Sequence, residues 1–142
     1  MKVSARNLFT GKVSAVITGA VNTEVELTTD GGDKFVAVIT EGSVKSLGLA
    51  VGKPATAIVK APWVILVEAN PKLRFSARNH FTGTVSDVTK GGVNTEIGVK
   101  LPGGSVIHAV VTNEAVLDLG LAVGSPVGAL IKSSHVVLAV PA

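Results

Sequence analysis

Displaced by 72 residues, the chain lies over itself: positions 4–70 align with 76–142 without a gap, and about half of the pairs are identical. SARN stands at Ser4 and again at Ser76, each time followed, after one intervening residue, by Phe-Thr-Gly. GAVNTE at Gly19 returns as GGVNTE at Gly91, and LGLAVG at Leu47 returns unchanged at Leu119. A tandem duplication of this kind means that one small unit is folded twice. At about 67 residues a unit has room for only a marginal core, so the copies are expected to dock closely or to oligomerise. The domains are placed at 2–69 and 74–142, across a connector at 70–75 that is too short to let them drift apart.

Within a unit the apolar residues recur with a period of two. Val13, Ala15 and Ile17 alternate with Lys12, Ser14 and Thr18, and Val25 and Leu27 alternate with Glu24, Glu26 and Thr28, which is the signature of half-buried strands. Turns are signalled at Gly19-Ala20 and Asp30-Gly31-Gly32. Phe35 to Ile39 reads as a further strand, and Ala57 to Lys60 and Val64 to Val67 add more around a break at Ala61-Pro62. Thr40 begins the exception, with Val44 and Leu47 at helical spacing and a stop at Gly48, which predicts one short helix. Five short strands with one helix before the last pair match a small Greek-key barrel of the OB type. The expected fold is therefore all-β: two tandem OB-like five-stranded barrels, each with one short helix.

Composition narrows the chemistry. There is no uninterrupted apolar run of roughly 18 residues, and the start, MKVSARN, has neither an apolar segment nor a cleavage signal, so a cytoplasmic protein without a membrane partner is expected. The absence of cysteine excludes disulfides, Cys-ligated zinc and iron–sulfur clusters. A formal charge of +3 is spread along the chain, which suits a small anion as well as a nucleic acid. The run from Gly48 to Pro54 is one residue short of a phosphate loop and has Pro54 where the hydroxyl belongs, so it reads as a helix C-cap turn. His80, His108 and His135 replace Leu8, Val36 and Trp63 of the first copy and form no metal or catalytic motif. With no nucleophile elbow either, no enzyme and no free metal cation are expected. An OB-type module for single-stranded nucleic acid is the alternative function, but it needs stacking aromatics among basic residues. The chain has no tyrosine, one tryptophan and four phenylalanines, and Phe9 and Phe81 are one repeated position that suits a core, so no nucleic-acid partner is expected.

What remains is a repeated set of hydrogen-bond donors: Ser4, Arg6, Thr40 and Lys60 in the first copy, and Ser76, Arg78, Thr112 and Lys132 in the second. A fully deprotonated tetrahedral oxyanion offers only acceptors, so a cage of hydroxyl, guanidinium, ammonium and backbone N–H groups without carboxylates suits it. Ser133 and Ser134 follow Lys132 where Ala61 and Pro62 follow Lys60, so the two sites are expected to have unequal donors. The turns carrying Val21-Asn22 and Val93-Asn94 offer further N–H and amide groups. Each residue also has an ordinary role open to it: solvated strand charges for the arginines and lysines, a strand-edge hydroxyl for Ser4, a helix N-cap for Thr40.

Taken together, SARNxxxGxV, GAVNTEV, the helix T-x-x-(S/A)-V-x-x-LGL and the Lys-Ala or Lys-Ser-Ser segment before the last strand resemble the Mop, or molbindin, domain of molybdenum-pterin-binding proteins. The resemblance covers both copies. It implies an OB-like fold that binds molybdate, with tungstate possible, as the intact oxyanion, in oligomers whose barrels share sites; for a two-domain chain it implies a homotrimer. It assigns one class of site to Ser4, Ala5, Arg6, Lys60 and Ala61, and to Ser76, Ala77, Arg78, Lys132 and Ser133, completed by Thr40, Ser43 and Thr112 of a neighbouring barrel. Ala115 stands where the first copy has Ser43. A second class, on a threefold axis, is assigned to Val21, Asn22, Val93 and Asn94. Family members also carry the domain fused to a transport ATPase or to a helix-turn-helix. Neither motif occurs within these residues, which favours molybdenum storage and homeostasis.

Overall fold

The computed structural model describes residues 2–142. Each repeat supplies five strands and one helix in the same order. The first gives β1 (Asn7–Thr18), β2 (Asn22–Thr29), β3 (Lys34–Thr40), α1 (Glu41–Leu47), β4 (Pro54–Val59) and β5 (Ile65–Val67). The second gives β6 (Asn79–Lys90), β7 (Asn94–Lys100), β8 (Val106–Thr112), α2 (Asn113–Leu119), β9 (Pro126–Ile131) and β10 (Val137–Ala139). The helices form where Thr40 and Thr112 cap them, each accepting an N–H bond from the third residue on, and they stop at Gly48 and Gly120, whose φ of 63° and 61° lies in the left-handed region. Among the described residues no helix is long and apolar enough to cross a membrane.

The strands form two antiparallel five-stranded sheets, in the orders β10-β4-β1-β2-β3 and β5-β9-β6-β7-β8. The last strand of each repeat has crossed to the other: β10 lies on β4 with Val137 opposite Ile58, and β5 lies on β9 with Ile65 opposite Leu130. The edge strands of each sheet, β3 with β10 and β8 with β5, also touch and draw the sheet toward closure. The crossing begins at a 3-10 turn, Ala61–Trp63 in one repeat and Ser133–His135 in the other, which ends β4 or β9 and turns the chain outward. The sequence repeat therefore differs from the barrel, which takes four strands from one copy and the fifth from the other. Exchange merges two marginal cores into one, and residues of both repeats form a single buried cluster. Phe35 stacks on Phe9 with centroids 4.1 Å apart and tilts against Phe81 at 5.0 Å, so the repeated phenylalanine lies within or against the core.

The strand alternation holds for Val25 and Leu27, both fully buried, but on β1 it holds only as far as Val13. A register shift between Val13 and Ala15 turns the following side chains over, so Val16 packs on the core while Ile17 is 61% exposed. The glycine of Phe-Thr-Gly is required by close approach of the neighbouring strand. A Cβ on Gly11 would lie 2.2 Å from the Thr28 carbonyl, and one on Gly83 would lie 2.5 Å from that of Lys100.

Polar contacts fix the docking of the two repeats. The buried Asn7 side chain donates to the His108 carbonyl at 2.8 Å and accepts from its N–H at 2.7 Å; Asn79 does the same to Val36 at the same distances. Each SARN asparagine thereby lays its tetrapeptide on the other repeat. A further contact occurs once only: Asp33 accepts from the N–H groups of Gly103 and Ser105 at 2.9 and 3.0 Å, while its counterpart, Ser105, makes no reciprocal bond.

Candidate anion-binding site

Register brings the donors together. Asn7 pairs with Val59 across β1 and β4, so Arg6 and Lys60, one step beyond, come side by side; Asn79 pairs with Ile131, which does the same for Arg78 and Lys132. Two like charges at one sheet corner repel each other, an arrangement that an anion between them would relieve. Among the described residues no carboxylate lies within 4.0 Å of Lys60, Lys132 or Arg6.

At the second-repeat corner a cavity of about 330 Å³ is lined by Ser76, Ala77, Arg78, Lys132 and Ser133, over an apolar floor of Ile65, Phe75 and Leu130. These are the five residues of that copy assigned from the sequence to this class of site, apart from Thr112, together with Ile65 from the exchanged strand. Ser133 is buried at the head of its 3-10 turn, which packs against β3 of the first repeat. Apolar walls beside converging donors lower the local dielectric and strengthen every charge-assisted bond made there. A larger cavity of about 390 Å³, lined by Thr82, Gly83, Thr84, Lys100, Leu101, Pro102 and Pro126, has one charged side chain and no such convergence. Size alone therefore does not locate the site.

At the first-repeat corner Ser4, Ala5 and Arg6 precede β1, and Lys60 and Ala61 follow β4, in the same arrangement. Ala61 is buried, like Ser133, but offers only its N–H. Thr40, Ser43 and Thr112 are not at these corners of their own sheets. Thr40 pairs with Asn22, and Thr112 with Asn94, at the far end of the strands. Asn7 and Thr18 bound β1 and stand eleven residues apart, roughly 35 Å of strand. Thr40 also accepts a bond from the Ser43 N–H at 3.1 Å and donates to the Ser43 hydroxyl at 2.9 Å, so its capping role is real.

The other repeat brings the two ends closer. Asn79 holds Val36, and Arg78 pairs with Glu24, which lies opposite Val38. The second SARN thus runs up β3 of the first repeat, from Val36 toward Thr40. Val21 and Val93 sit in exposed turns beside the helix starts, and Asn22 and Asn94, also exposed, follow them as the first residues of β2 and β7. There the copies differ: Thr23 donates to the Glu41 carboxylate, and Thr95 to the Asn113 amide oxygen, both at 2.6 Å. Glu41 puts a negative charge beside the first turn, whereas Asn113 donates to the Gly91 carbonyl at 3.1 Å. Glu24 and the two SARN asparagines were not among the residues singled out from the sequence. The strict repetition of Asn7 and of the Glu in VNTE was the available signal.

Glu24 raises the Arg78 pKa above its ordinary value, through the hydrogen bond first and then its charge, so the guanidinium stays fully charged. In the other copy Glu96 lies 3.9 Å from the His108 Nδ1, a buried nitrogen with no hydrogen-bond partner.

A crystal structure of the cytoplasmic molybdate-binding protein ModG, in a form with molybdate bound, is 52% identical, with 99% of this chain and 100% of that one covered and a TM-score of 0.94. The molybdenum-pterin-binding protein MopA of Rhodobacter capsulatus is 45% identical over 141 residues, which are 99% of this chain and 53% of MopA. The molybdenum transport protein ModE of Herbaspirillum seropedicae is 42% identical over 140 residues, 99% of this chain and 52% of ModE. The chain thus spans about half the length of these two relatives. The TOBE domain model matches residues 3–66 and 76–138, nearly all of both repeats, and the chain belongs to the TOBE-domain family as two tandem Mop-type copies.

Proposed function

We propose that this chain binds molybdate as the intact dianion, at sites where the SARN corner of one repeat meets β3 or β8 of the other, and that it stores and buffers molybdenum in the cytoplasm. The observation that carries this is the cavity at Ser76, Ala77, Arg78, Lys132 and Ser133, whose lining has hydroxyl, guanidinium, ammonium and backbone N–H donors and no carboxylate. A deprotonated tetrahedral oxyanion accepts from every member of such a set, while the proton of a protonated phosphate would find no carboxylate there and would have to take a serine hydroxyl from the anion. The likeness to ModG with molybdate bound supports the same ligand. Tungstate, with the same charge and shape, is expected to compete. Binding exchanges the anion's water for fixed donors and needs no covalent step, so the chain acts as a binding protein and not as an enzyme. Thr40, Ser43 and Thr112 are the donors closing each site, and Val21, Asn22, Val93 and Asn94 form a second class in a homotrimer. The exposed Val21 and Val93, 77% and 75% accessible, support burial of those turns on assembly.

The test is calorimetric titration of the purified chain with molybdate, sulfate and phosphate, with light scattering for the mass. Molybdate is expected to bind tightly and in preference to the other two, with a mass of three chains. No heat with molybdate, or equal affinity for sulfate, overturns the reading.

A further inference from the structure

We propose that Glu24 is a positioning residue for the anion site of the second repeat, through its hold on Arg78. This rests on the molybdate reading above and goes beyond it by making the two copies unequal for a reason outside their donor lists. Glu24 stands on β2 of the first repeat, 54 positions before Arg78, with its side chain 27% exposed, and accepts from the Arg78 Nη2. Arg78 lines the cavity and Glu24 does not, so the carboxylate grips the guanidinium from outside the anion's space. A guanidinium has five N–H donors in one plane, so a bond through Nη2 leaves others free for the ligand. An arginine held this way keeps less rotamer freedom to lose when the anion arrives. Glu26, two residues along on the same strand face, adds to the negative field around Arg78.

The first repeat's Arg6 has no such hold. Its equivalent carboxylate, Glu96, lies 3.9 Å from the His108 Nδ1, and among the described residues no carboxylate approaches Arg6 within 4.0 Å. The causes are visible in sequence. His108 replaces Val36 on the neighbouring strand and faces Glu96 diagonally, and Gly98 replaces Glu26. One site therefore has a preorganised arginine and the other a free one.

The test is titration of the full chain with sodium molybdate in two backgrounds. In Arg6→Ala, which leaves the Arg78 class, adding Glu24→Gln is expected to weaken binding about 5-fold, as coupled pairs do when one partner is lost. In Arg78→Ala, which leaves the Arg6 class, the same Glu24→Gln is expected to change nothing. Unchanged or tighter binding in the first background overturns the proposal, since Glu24 would then be idle or a competitor of the anion. Equal weakening in both backgrounds also overturns it, since Glu24 would then act through the fold. Failure of the unaltered chain to bind molybdate is a distinct result, which removes the molybdate reading and this one with it.

Discussion

The two SARN corners carry one tetrapeptide in two settings. Arg78 meets Glu24, with Glu26 on the same strand and Val36 on the next, whereas in the other copy those positions are Glu96 and Gly98 on β7 and His108 on β8. Because Asn7 and Asn79 lay each SARN on the other repeat, the strands beside each SARN arginine come from the copy that does not own it. Duplication with exchanged strands thus lets two identical motifs diverge without a change in either. The donor differences at Ala61 and Ser133, and at Ser43 and Ala115, account for only part of the asymmetry.

The largest expected effect falls where the copies are alike. Asn7→Ala and Asn79→Ala each strip a backbone N–H and C=O of their partners, part-buried at His108 and buried at Val36, and should cost about 3 kcal/mol. For a chain of this size that lowers the melting temperature by roughly 10 °C, equally in both variants. An unequal pair of melting curves would show that the clamps differ as the sites do. Next come Lys60→Ala and Lys132→Ala, each removing a charged donor from its own class of site. Molybdate titration should show about 30-fold weaker binding for that class alone, near 2 kcal/mol.

Asp33→Ser gives the first copy the residue of the second and deletes the one-sided contact to Gly103 and Ser105. It should lower stability by about 1.5 kcal/mol in denaturant titration without changing anion affinity. The smallest effect sharpens the comparison most. His108→Val restores the first copy's residue, frees Glu96 to take Arg6 as Glu24 takes Arg78, and should tighten the Arg6 class about 3-fold, the scale of a cross-strand pair. A weaker Arg6 class in that variant would refute the account of why the copies differ.

Much of the fold could be read from the sequence because its signals are local. Val25 and Leu27 alternate with polar residues on an unbroken strand, and Thr40 and Gly48 bound their helix by capping chemistry. Ile17 departs from the alternation because the register of β1 on β2 shifts between Val13 and Ala15, which a period of two cannot report. Strand exchange left no mark on the repeat, since β5 satisfies the same apolar pattern on either barrel. The SARN and lysine pairing was visible as repetition, and the register of β1 on β4 explains it. In sequence Glu24 reads only as a polar residue of the strand alternation, because its partner lies 54 residues away in the other copy and only the docking of the repeats brings them together.

The most direct test of two distinct anion sites is a side-by-side molybdate titration of Arg6→Ala and Arg78→Ala. The account predicts that each variant loses one class of site and keeps the other, and that the class surviving in Arg6→Ala, which retains Arg78 and Glu24, is the tighter. Loss of all binding in both variants, or two isotherms that match the unaltered chain, would contradict it.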